Sequence, residues 1–380
     1  MSTSFARKLK PMECTLKESK NDFGGSEYRT AADCVVELHK RTYAASERAY
    51  WDKTEQEAME SLAFFRAIYG ANSPEAANLS NHLARITESR MQYATAEQHA
   101  RRAWEIMEHL GDHCDGRKAT AVRLDALDRV GTSLRAAGYY EEAEVWLQRA
   151  LDLAERNGRE IVRALSNLGV LCKCKGQFDE AERMHRRALE LVEDLDSAMA
   201  ATVYHNLGEL AHLQNCSAKG EPFGRRAWEI RRSLFGPNHP ETLAAACAYA
   251  VLLDGLGRYR ESEAILLDAL ARFEEIFGSE HLEVAMSLHS LARIRWKRGD
   301  AAGAESLYKR AAAIKEKLLG PWHPDTALTL YDYASMLAEM WREDEARGLV
   351  SRALMGFETS LGPLHSQCKE ARDLWELLNA

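Results

Sequence analysis

Three side chains near the middle of the chain have the types and the spacing of a metal site. His205, Glu209 and His212 stand at positions i, i+4 and i+7, so they share one face of a predicted helix. Two imidazoles and a carboxylate can hold a zinc ion and leave one coordination position open for a substrate. The alternative is a polar helix face that hydrogen-bonds a peptide or water. The residue types alone are compatible with both.

A second group of potential ligands falls in a stretch that we interpret as a polar loop between two repeats. His109, His113 and Cys114 are flanked there by Asp112 and Asp115. A solvated loop accounts for these residue types without any ligand, because exposed connections are commonly polar. Adventitious metal binding is the alternative.

The eight cysteines form no recognisable metal or redox motif. They are scattered along the chain and lack the spacing of a zinc ribbon. The two nearest in sequence are Cys172, predicted to be buried, and Cys174, predicted to be half-exposed. Two thiols this close could also respond to oxidation. Reduced thiols in a cytoplasmic protein are the simplest interpretation of this distribution.

No sequence motif for catalysis or for a cofactor is present. The chain contains no P-loop and no GxGxxG, HExxH or GxSxG pattern, so we predict no cofactor and no enzymatic activity. The net charge of −8 argues against a nucleic-acid partner. No run approaches the ~18 apolar residues of a membrane span, and residues 1–27 lack the apolar segment of a secretory signal. The expected location is the cytoplasm, and no oligomeric state is predicted.

The C-terminal half of the chain repeats itself with a period of 42 residues. Glycines stand at positions 236, 278, 320 and 362, and a histidine follows each of them three residues later. A fixed period of this length predicts a solenoid, a fold that exposes a long concave surface. Successive histidines should lie on the order of 10–20 Å apart, given ~10 Å between packed helices, which is too far to share a metal. We predict that each histidine closes the turn before the next helix.

Each period contains two amphipathic helices. Between residues 241 and 277, apolar side chains recur at i, i+3, i+4 and i+7, with an interruption at Leu256-Gly257-Arg258. Gly278 is predicted to end the second helix in the left-handed conformation that glycine adopts at little cost. Pro240 and Pro324 fit the first turn of the following helix, where the missing N–H costs nothing.

Small residues recur where the paired helices must cross. In the first helices they are Ala84, Gly131, Gly169, Gly208, Ala250, Ala292 and Ala334. In the second helices they are Ala96, Ala143, Ala181, Gly220, Ser262, Ala304 and Ala346, followed seven residues later by Ala103, Ala150, Ala188, Ala227, Ala269, Ala311 and Ala353. A large side chain at such a crossing would overpack it, at a cost of roughly 1–3 kcal/mol.

The small and large residues of one repeat match a known pattern, carried by Leu165, Leu168, Gly169, Phe178, Ala181, Ala188 and Leu189. This pattern resembles the tetratricopeptide repeat. The 42-residue variant, with Leu-Gly-x-x-His-Pro at its junctions, is similar to the repeats of kinesin light chains and their bacterial relatives. The resemblance covers about residues 70–362. It implies an all-α, right-handed α-solenoid of antiparallel helix pairs, a superhelix whose concave groove binds protein or peptide segments.

The repeats divide the chain as follows. Residues 1–27 are predicted to be a flexible N-terminal arm, residues 28–362 a superhelical domain, and residues 363–380 a C-terminal capping helix. We count about eight helix pairs, with approximate bounds of 28–69, 70–117, 118–157, 158–196, 197–236, 237–278, 279–320 and 321–362. The first pair is degenerate, as is expected of a terminal repeat that meets water on one face.

By analogy with this family, one face of each first helix points into the concave groove. Counting from the small residue of each first helix predicts a polar row of mixed charge, in which arginine and asparagine suit a peptide backbone and its carboxylates. Two aromatic residues of the row could anchor an apolar side chain. The predicted groove residues are Asn81, Arg85, Asp128, Arg135, Asn167, Lys173, His205, Asn206, Glu209, His212, His289, Arg293, Trp296 and Tyr331.

The sequence departs from kinesin light chains at the residues that contact cargo. Those proteins carry paired asparagines just before the small residue, and only Asn81, Asn167 and Asn206 match one member of a pair. The predicted function is therefore a non-catalytic scaffold or adaptor that binds a protein or peptide segment in its groove. One alternative is a peptide-responsive sensor that changes superhelical shape on binding. A second alternative is a metal-dependent enzyme with its site around His205, Glu209 and His212.

Overall fold

The computed structural model describes residues 70–89, 92–111, 116–158, 160–361 and 365–379, together with a few isolated positions between 58 and 66. These residues form fifteen α-helices, and no strand occurs among them. The predicted N-terminal arm and nearly all of the first predicted repeat lie outside the described residues. None of the described helices is long and apolar enough to cross a membrane.

The helices form seven consecutive pairs and one additional helix. The first helices are α1 (Pro74–Ser89), α3 (Arg117–Ala136), α5 (Ile161–Cys174), α7 (Ala198–Leu213), α9 (Pro240–Gly255), α11 (Leu282–Lys297) and α13 (Pro324–Glu339). The second helices are α2 (Tyr93–Leu110), α4 (Tyr140–Asn157), α6 (Phe178–Glu190), α8 (Ser217–Phe235), α10 (Tyr259–Phe277), α12 (Ala301–Leu319) and α14 (Glu343–Leu361). The additional helix is α15 (Ser366–Asn379).

The pairs stack into a right-handed superhelix, as the resemblance to tetratricopeptide repeats implies, and the 42-residue period correctly predicts a solenoid. Each helix packs against its neighbours in sequence, and the first helices of adjacent pairs also contact each other. Second helices make far less contact with one another. Elements that approach each other across repeats lie at the smaller radius of a curved stack, so the first helices line its concave side.

The predicted crossings of small residues are confirmed. The alanines of all three rows are almost fully buried between helices. At two of the glycines, even a methyl group would not fit: a Cβ on Gly220 would lie 2.8 Å from the carbonyl oxygen of Gly208, and one on Gly169 would lie 2.5 Å from the ring of His185. Helix axes can approach this closely only because these positions carry little or no side chain.

The junction glycines end the second helices in a different conformation from the one predicted. The φ and ψ angles are 86° and 169° at Gly236, 78° and 172° at Gly278, and 92° and 163° at Gly320. The positive φ agrees with the prediction, but the extended ψ lies outside the left-handed helical region. This combination is open almost only to glycine. The reason is that the chain must leave the helix in an extended direction to reach the next repeat.

The recurring histidines close the turns, which confirms their predicted structural role. In each case Nδ1 accepts a hydrogen bond from the backbone N–H two residues later, at 3.3 Å for His239, 3.2 Å for His281, 3.1 Å for His323 and 3.3 Å for His365. The rings of His239 and His281 also stack on Phe235 and Phe277. A histidine thus acts as the N-cap of the following helix, and Pro240 and Pro324 occupy the first helical turn as predicted.

The last helix, α15, packs against α14 at the C-terminal end of the stack. Ala371 and Leu378 are buried in this contact, as the sequence predicts. Trp375 keeps 40% of its surface exposed. The Arg347 side chain donates a hydrogen bond to the carbonyl oxygen of Leu378 and ties the end of α15 to α14.

Candidate functional site

The predicted groove residues divide into two groups by burial. Four of them are at least nine-tenths buried, namely Asn81, Asp128, Asn206 and His289. The other ten keep part of their surface accessible, namely Arg85, Arg135, Asn167, Lys173, His205, Glu209, His212, Arg293, Trp296 and Tyr331. The two groups have different roles in the structure. Counting positions along each helix in the sequence could not distinguish them.

The buried group joins one first helix to the next. The Asn81 side chain donates to the carbonyl oxygen of Val122 in α3, at 3.0 Å. His289 hydrogen-bonds Thr329 of α13 at 3.1 Å. Asn206 lies 3.5 Å from the hydroxyl of Ser166 in α5. These side chains therefore hydrogen-bond the neighbouring repeat, although Oδ1 of Asn81 is buried without a partner.

Asp128 of α3 is the best-connected member of the buried group. Its carboxylate accepts from the Asn167 side chain at 3.2 Å and pairs with Arg163 at 2.7 Å, both on α5. Burial and the loss of water raise the pKa of Asp128 in spite of these partners. Arg163 was not among the predicted residues, although its distance of about one repeat from a buried acid is a signal that the sequence contains.

Charge pairs between repeats continue along the concave side. Glu88 of α1 pairs with Arg129 of α3 at 3.2 Å. Further along, Asp254 of α9 contacts both Arg293 at 3.0 Å and Lys297 at 2.9 Å on α11. These pairs join residues separated by roughly one repeat, because stacking brings equivalent turns of adjacent first helices side by side.

Two neighbouring groups of charged side chains determine the local charge in the middle of the concave side. Asp254 is almost completely buried and carries one negative charge against the two positive charges of Arg293 and Lys297. These three side chains together carry a net positive charge, and Asp332 of α13 lies within electrostatic range of Arg293. On the other side of α9, Lys173 and Glu209 join α5 to α7 at 2.5 Å and neutralise each other.

The three residues of the alternative metal site, His205, Glu209 and His212, lie among other charged and buried groups. Burial favours the neutral acid at Glu209, but the nearby Lys173 ammonium outweighs this effect and lowers the pKa of the Glu209 carboxyl to about 2. Burial lowers the pKa of both His205 and His212 to about 4, and the charge of Arg293 adds to the effect at His212. Both imidazoles are therefore neutral at neutral pH.

These three side chains do not converge on a common point. Glu209 is directed to Lys173, whereas Nδ1 of His212 lies 3.2 Å from the hydroxyl of Ser217. Nδ1 of His205 is buried without a hydrogen-bond partner. Across the described residues, no group of three or more histidine, cysteine, aspartate and glutamate side chains is placed to hold a metal ion. The helical spacing of the three residues was correct, but their side chains turn to different neighbours.

Arg135 at the end of α3 differs from the other cations of the concave side. Its guanidinium interacts with the thiol of Cys174 on α5, and Glu88, Glu209 and Tyr140 lie within electrostatic range. No carboxylate forms an ion pair with Arg135 among the described residues. A thiol is a weak acceptor, and a guanidinium has five N–H donors, so Arg135 retains donors for a further partner.

The two predicted aromatic anchors lie on adjacent first helices near the C-terminal end of the groove. Trp296 of α11 and Tyr331 of α13 are both partly buried against the same apolar cluster. The Tyr331 ring meets Phe357 edge-on, with 6.5 Å between the centroids. Packing fixes these rings while part of each remains accessible, which is the arrangement of an anchor site for an apolar side chain.

Of the remaining sequence candidates, only Cys174 takes part in this site, as the partner of Arg135. Cys172 is buried and Cys174 half-buried, as predicted, and burial raises the pKa of the Cys172 thiol to about 11. His109 lies exposed near the end of α2. His113 and Cys114, with the two flanking aspartates, lie outside the described residues.

A family model describes most of the superhelix. The tetratricopeptide repeat model matches residues 123–194, 199–275, 255–317 and 283–359. Two curated relatives are clustered mitochondria protein homologues. The one from Aspergillus clavatus is 27% identical over 110 residues, which are 29% of this chain and 9% of that protein. The one from Coccidioides immitis is 31% identical over 99 residues, which are 26% of this chain and 8% of that protein. The chain thus matches less than a tenth of these relatives' length.

Solved structures with low sequence identity share the fold. The apo form of the quorum sensor NprR from B. thuringiensis has a TM-score of 0.60 and 11% identity, and the likeness covers 93% of this chain and 94% of that chain. A Rap protein complexed with Competence and Sporulation Factor has a TM-score of 0.56 and 16% identity, covering 81% and 88%. Kinesin light chain-type repeats of Podosopora anserina have 19% identity and a TM-score of 0.40, covering 52% and 95%.

Proposed function

The chain belongs to the tetratricopeptide repeat family, and from this premise we propose that it binds an extended peptide or protein segment against its concave side. This fold is typically a binding scaffold without catalysis. The observation that carries the proposal is Arg135, a groove cation that interacts with a thiol and forms no ion pair with a carboxylate among the described residues. Buried or half-buried guanidinium groups normally find an anionic partner, and here a ligand can supply it.

The charge of the groove favours a ligand with carboxylates. The cluster of Asp254, Arg293 and Lys297 carries a net positive charge, and Arg135 adds a second cation on α3. The Lys173–Glu209 pair between them is neutral overall. An extended segment with acidic side chains or a free C-terminal carboxylate would complement both cations.

The aromatic residues suggest where an apolar side chain of the ligand would bind. Trp296 and Tyr331 are held by packing on α11 and α13, and α11 also carries Arg293 and Lys297 of the Asp254 cluster. Partly buried aromatic rings contribute much of the binding energy in many interfaces. The proposed ligand therefore combines an acidic portion with an apolar residue.

A random peptide library displayed on phage tests this proposal. Peptides are selected on the wild-type protein, and their affinities are then measured by calorimetry for Arg135→Ala and for Arg260→Ala, which removes an exposed arginine on α10. We expect Arg135→Ala to weaken the selected peptides about tenfold or more and Arg260→Ala to leave the affinity unchanged. Selected peptides that bind both variants as tightly as the wild type would place the binding surface elsewhere.

A second candidate function, a peptide-responsive sensor, is favoured by one observation. The superhelix contacts itself between residues that are 187 positions apart, at His323 and Ala136. A contact between turns can be made or broken when a ligand changes the pitch. Small-angle X-ray scattering with and without a selected peptide separates the two candidates, because a scaffold keeps its radius of gyration and a sensor does not.

A further inference from the structure

A hydrogen bond between His323 and Ala136 joins two turns of the superhelix. His323 stands at the junction before α13, and its Nε2 lies 2.7 Å from the carbonyl oxygen of Ala136 at the end of α3. The first helices from α3 to α13 follow one another in contact along the concave side. The His323–Ala136 bond joins the two ends of this row, so these repeats form a closed circuit around the groove.

The surroundings of this bond are closely packed. A methyl group on Gly138, in the turn between α3 and α4, would lie 3.6 Å from Cβ of Ser360 and 3.8 Å from Cδ of Pro324. The Ser360 hydroxyl donates to the carbonyl oxygen of Trp322 at 2.8 Å, which holds the end of α14 against the same junction. The glycine has a φ of 88°, so the turn needs a residue without a side chain in any case.

Electrostatic coupling extends the contact beyond these atoms. The charge of Asp325, at the start of α13, acts on Tyr140 at the start of α4 and on Tyr93 at the start of α2. Burial, and then the charges of Glu88 and Asp325, raise the pKa of Tyr93 to about 12. The N-terminal end of α13 therefore faces the turns of two preceding repeats.

The two ring nitrogens of His323 allow it to cap α13 and to hydrogen-bond Ala136 at the same time. Nδ1 accepts from the backbone N–H of Asp325, so the proton of the neutral ring resides on Nε2 and can be donated to Ala136. His281 caps α11 in the same way, at 3.2 Å from the Glu283 nitrogen. In the part of the chain that the structure describes, no hydrogen bond joins His281 to another turn, although the charge of Glu283 also acts on Tyr93.

His365 makes a looser contact one repeat later. A methyl group on Gly176, in the turn between α5 and α6, would lie 3.4 Å from its Nε2. The ring interacts with the backbone of Cys174, without the geometry of a full hydrogen bond. Two successive junction histidines thus face two successive turns, and the first of them forms the tighter contact.

We propose that the His323–Ala136 contact, supported by His365, is a latch that sets the pitch of the superhelix and must open for a segment to enter the groove from the side. The part about pitch stands without any ligand, and the part about entry rests on the proposed function. A single hydrogen bond changes an equilibrium by roughly twofold to tenfold. Such a latch can open spontaneously, and a bound ligand can shift it.

Distance measurements on the ligand-free full chain test the latch. Nitroxide labels are attached through a genetically encoded keto amino acid at positions 139 and 322, which are both exposed and lie on opposite sides of the contact. Pulsed electron spin resonance then reports the distribution of distances between them. The tested variant is His323→Asn, because asparagine can still cap α13 but is too short to reach Ala136. The matched control is His281→Asn.

We expect a single short distance for the wild type and for His281→Asn. In His323→Asn, the population of longer distances should rise roughly twofold to tenfold, and it should rise further when His365→Asn is added. An unchanged distribution in the double variant would overturn the proposal, as would equal broadening in His281→Asn. If His323→Asn does not fold, the same measurement is made on Ser360→Trp. The large indole side chain lies against Gly138 and should lengthen the distance between the two labels, while His323 still caps α13.

The entry step has its own measurement. With a peptide selected as described above, stopped-flow fluorescence should show several-fold faster association for His323→Asn than for the wild type and His281→Asn. Equal association rates would overturn the entry step. A complete absence of peptide binding would contradict the proposed function and the entry step together, while the distance measurement would still decide on the latch.

Discussion

The imidazole of His185 on α6 fills the space that Gly169 on α5 leaves open. A Cβ at position 169 would lie 2.5 Å from Cε1 of this ring, and both ring nitrogens are buried without a hydrogen-bond partner. Burial, with a smaller effect of the Lys173 charge, lowers the pKa of His185 to about 4. The ring is therefore a neutral packing element, and the glycine opposite it is required by shape.

Gly169→Ala should destabilise the protein by roughly 1–3 kcal/mol, because the added methyl group overpacks a crossing that cannot widen. Gly348→Ala is the matched control, since this glycine also lies within a helix but has no neighbouring atom within 4 Å of a Cβ. We expect the control to stabilise its helix by up to about 1 kcal/mol. Urea denaturation followed by circular dichroism measures both. Equal midpoints for Gly169→Ala and the wild type would contradict the packing interpretation.

Stability should decrease in mildly acidic solution because several histidines are buried as neutral rings. Burial is the main cause that lowers the pKa of His185, His205, His212 and His281 from 6.5 to about 4. The unfolded chain takes up these protons near pH 6.5 and the folded chain only near pH 4. The contribution of the neutral rings is complete above pH 6.5 and is lost as the pH falls towards 4.

In that window each such histidine adds a slope of about 1.4 kcal/mol per pH unit to the free energy of unfolding. Thermal melts between pH 7.5 and 4.5 provide the measurement. His281→Asn should reduce this slope by up to about 1.4 kcal/mol per pH unit, the contribution of one proton. Asparagine keeps the cap of α11. A melting temperature that does not change across this range would show that the rings titrate normally.

Lys173→Met should raise the pKa of Glu209 from about 2, because burial then acts without the opposing ammonium. Since 39% of the Glu209 side chain is exposed, solvent screens the pair, and the loss of stability should be about 1 kcal/mol or less. Carbon-detected NMR titration of the Glu209 carboxyl measures the pKa. A value that stays near 2 would mean that Lys173 is not the cause of the shift.

Substitution by asparagine distinguishes the two kinds of positive-φ glycine in the chain. Gly158, after α4, has a φ of 64° and a ψ of 28°, the left-handed region that asparagine tolerates. Gly278 has a φ of 78° and a ψ of 172°. We expect Gly278→Asn to cost about 1–3 kcal/mol and Gly158→Asn distinctly less. Similar losses in thermal unfolding for the two variants would contradict this assignment of backbone strain.

The sequence by itself determined the architecture, because a repeat is defined by short-range patterns. The crossings at Gly169 and Gly208, the interruption after each first helix and the histidine caps all depend on residues within one helix pair or its junction. The period of 42 residues then implies stacking. The positive φ at Gly278 was also predictable, whereas its extended ψ depends on where the next repeat begins.

Only the tertiary structure decided which polar side chains of the concave side form contacts within the protein and which stay accessible to a ligand. Helical spacing placed Asn81 and Arg135 in one row, yet Asn81 hydrogen-bonds the neighbouring helix, whereas Arg135 forms no ion pair with a carboxylate among the described residues. The partner of each residue depends on the rotation between successive pairs, which accumulates over the whole stack. The same accumulated rotation brings His323 to Ala136, a contact between two residues whose separation in sequence carries no local signal.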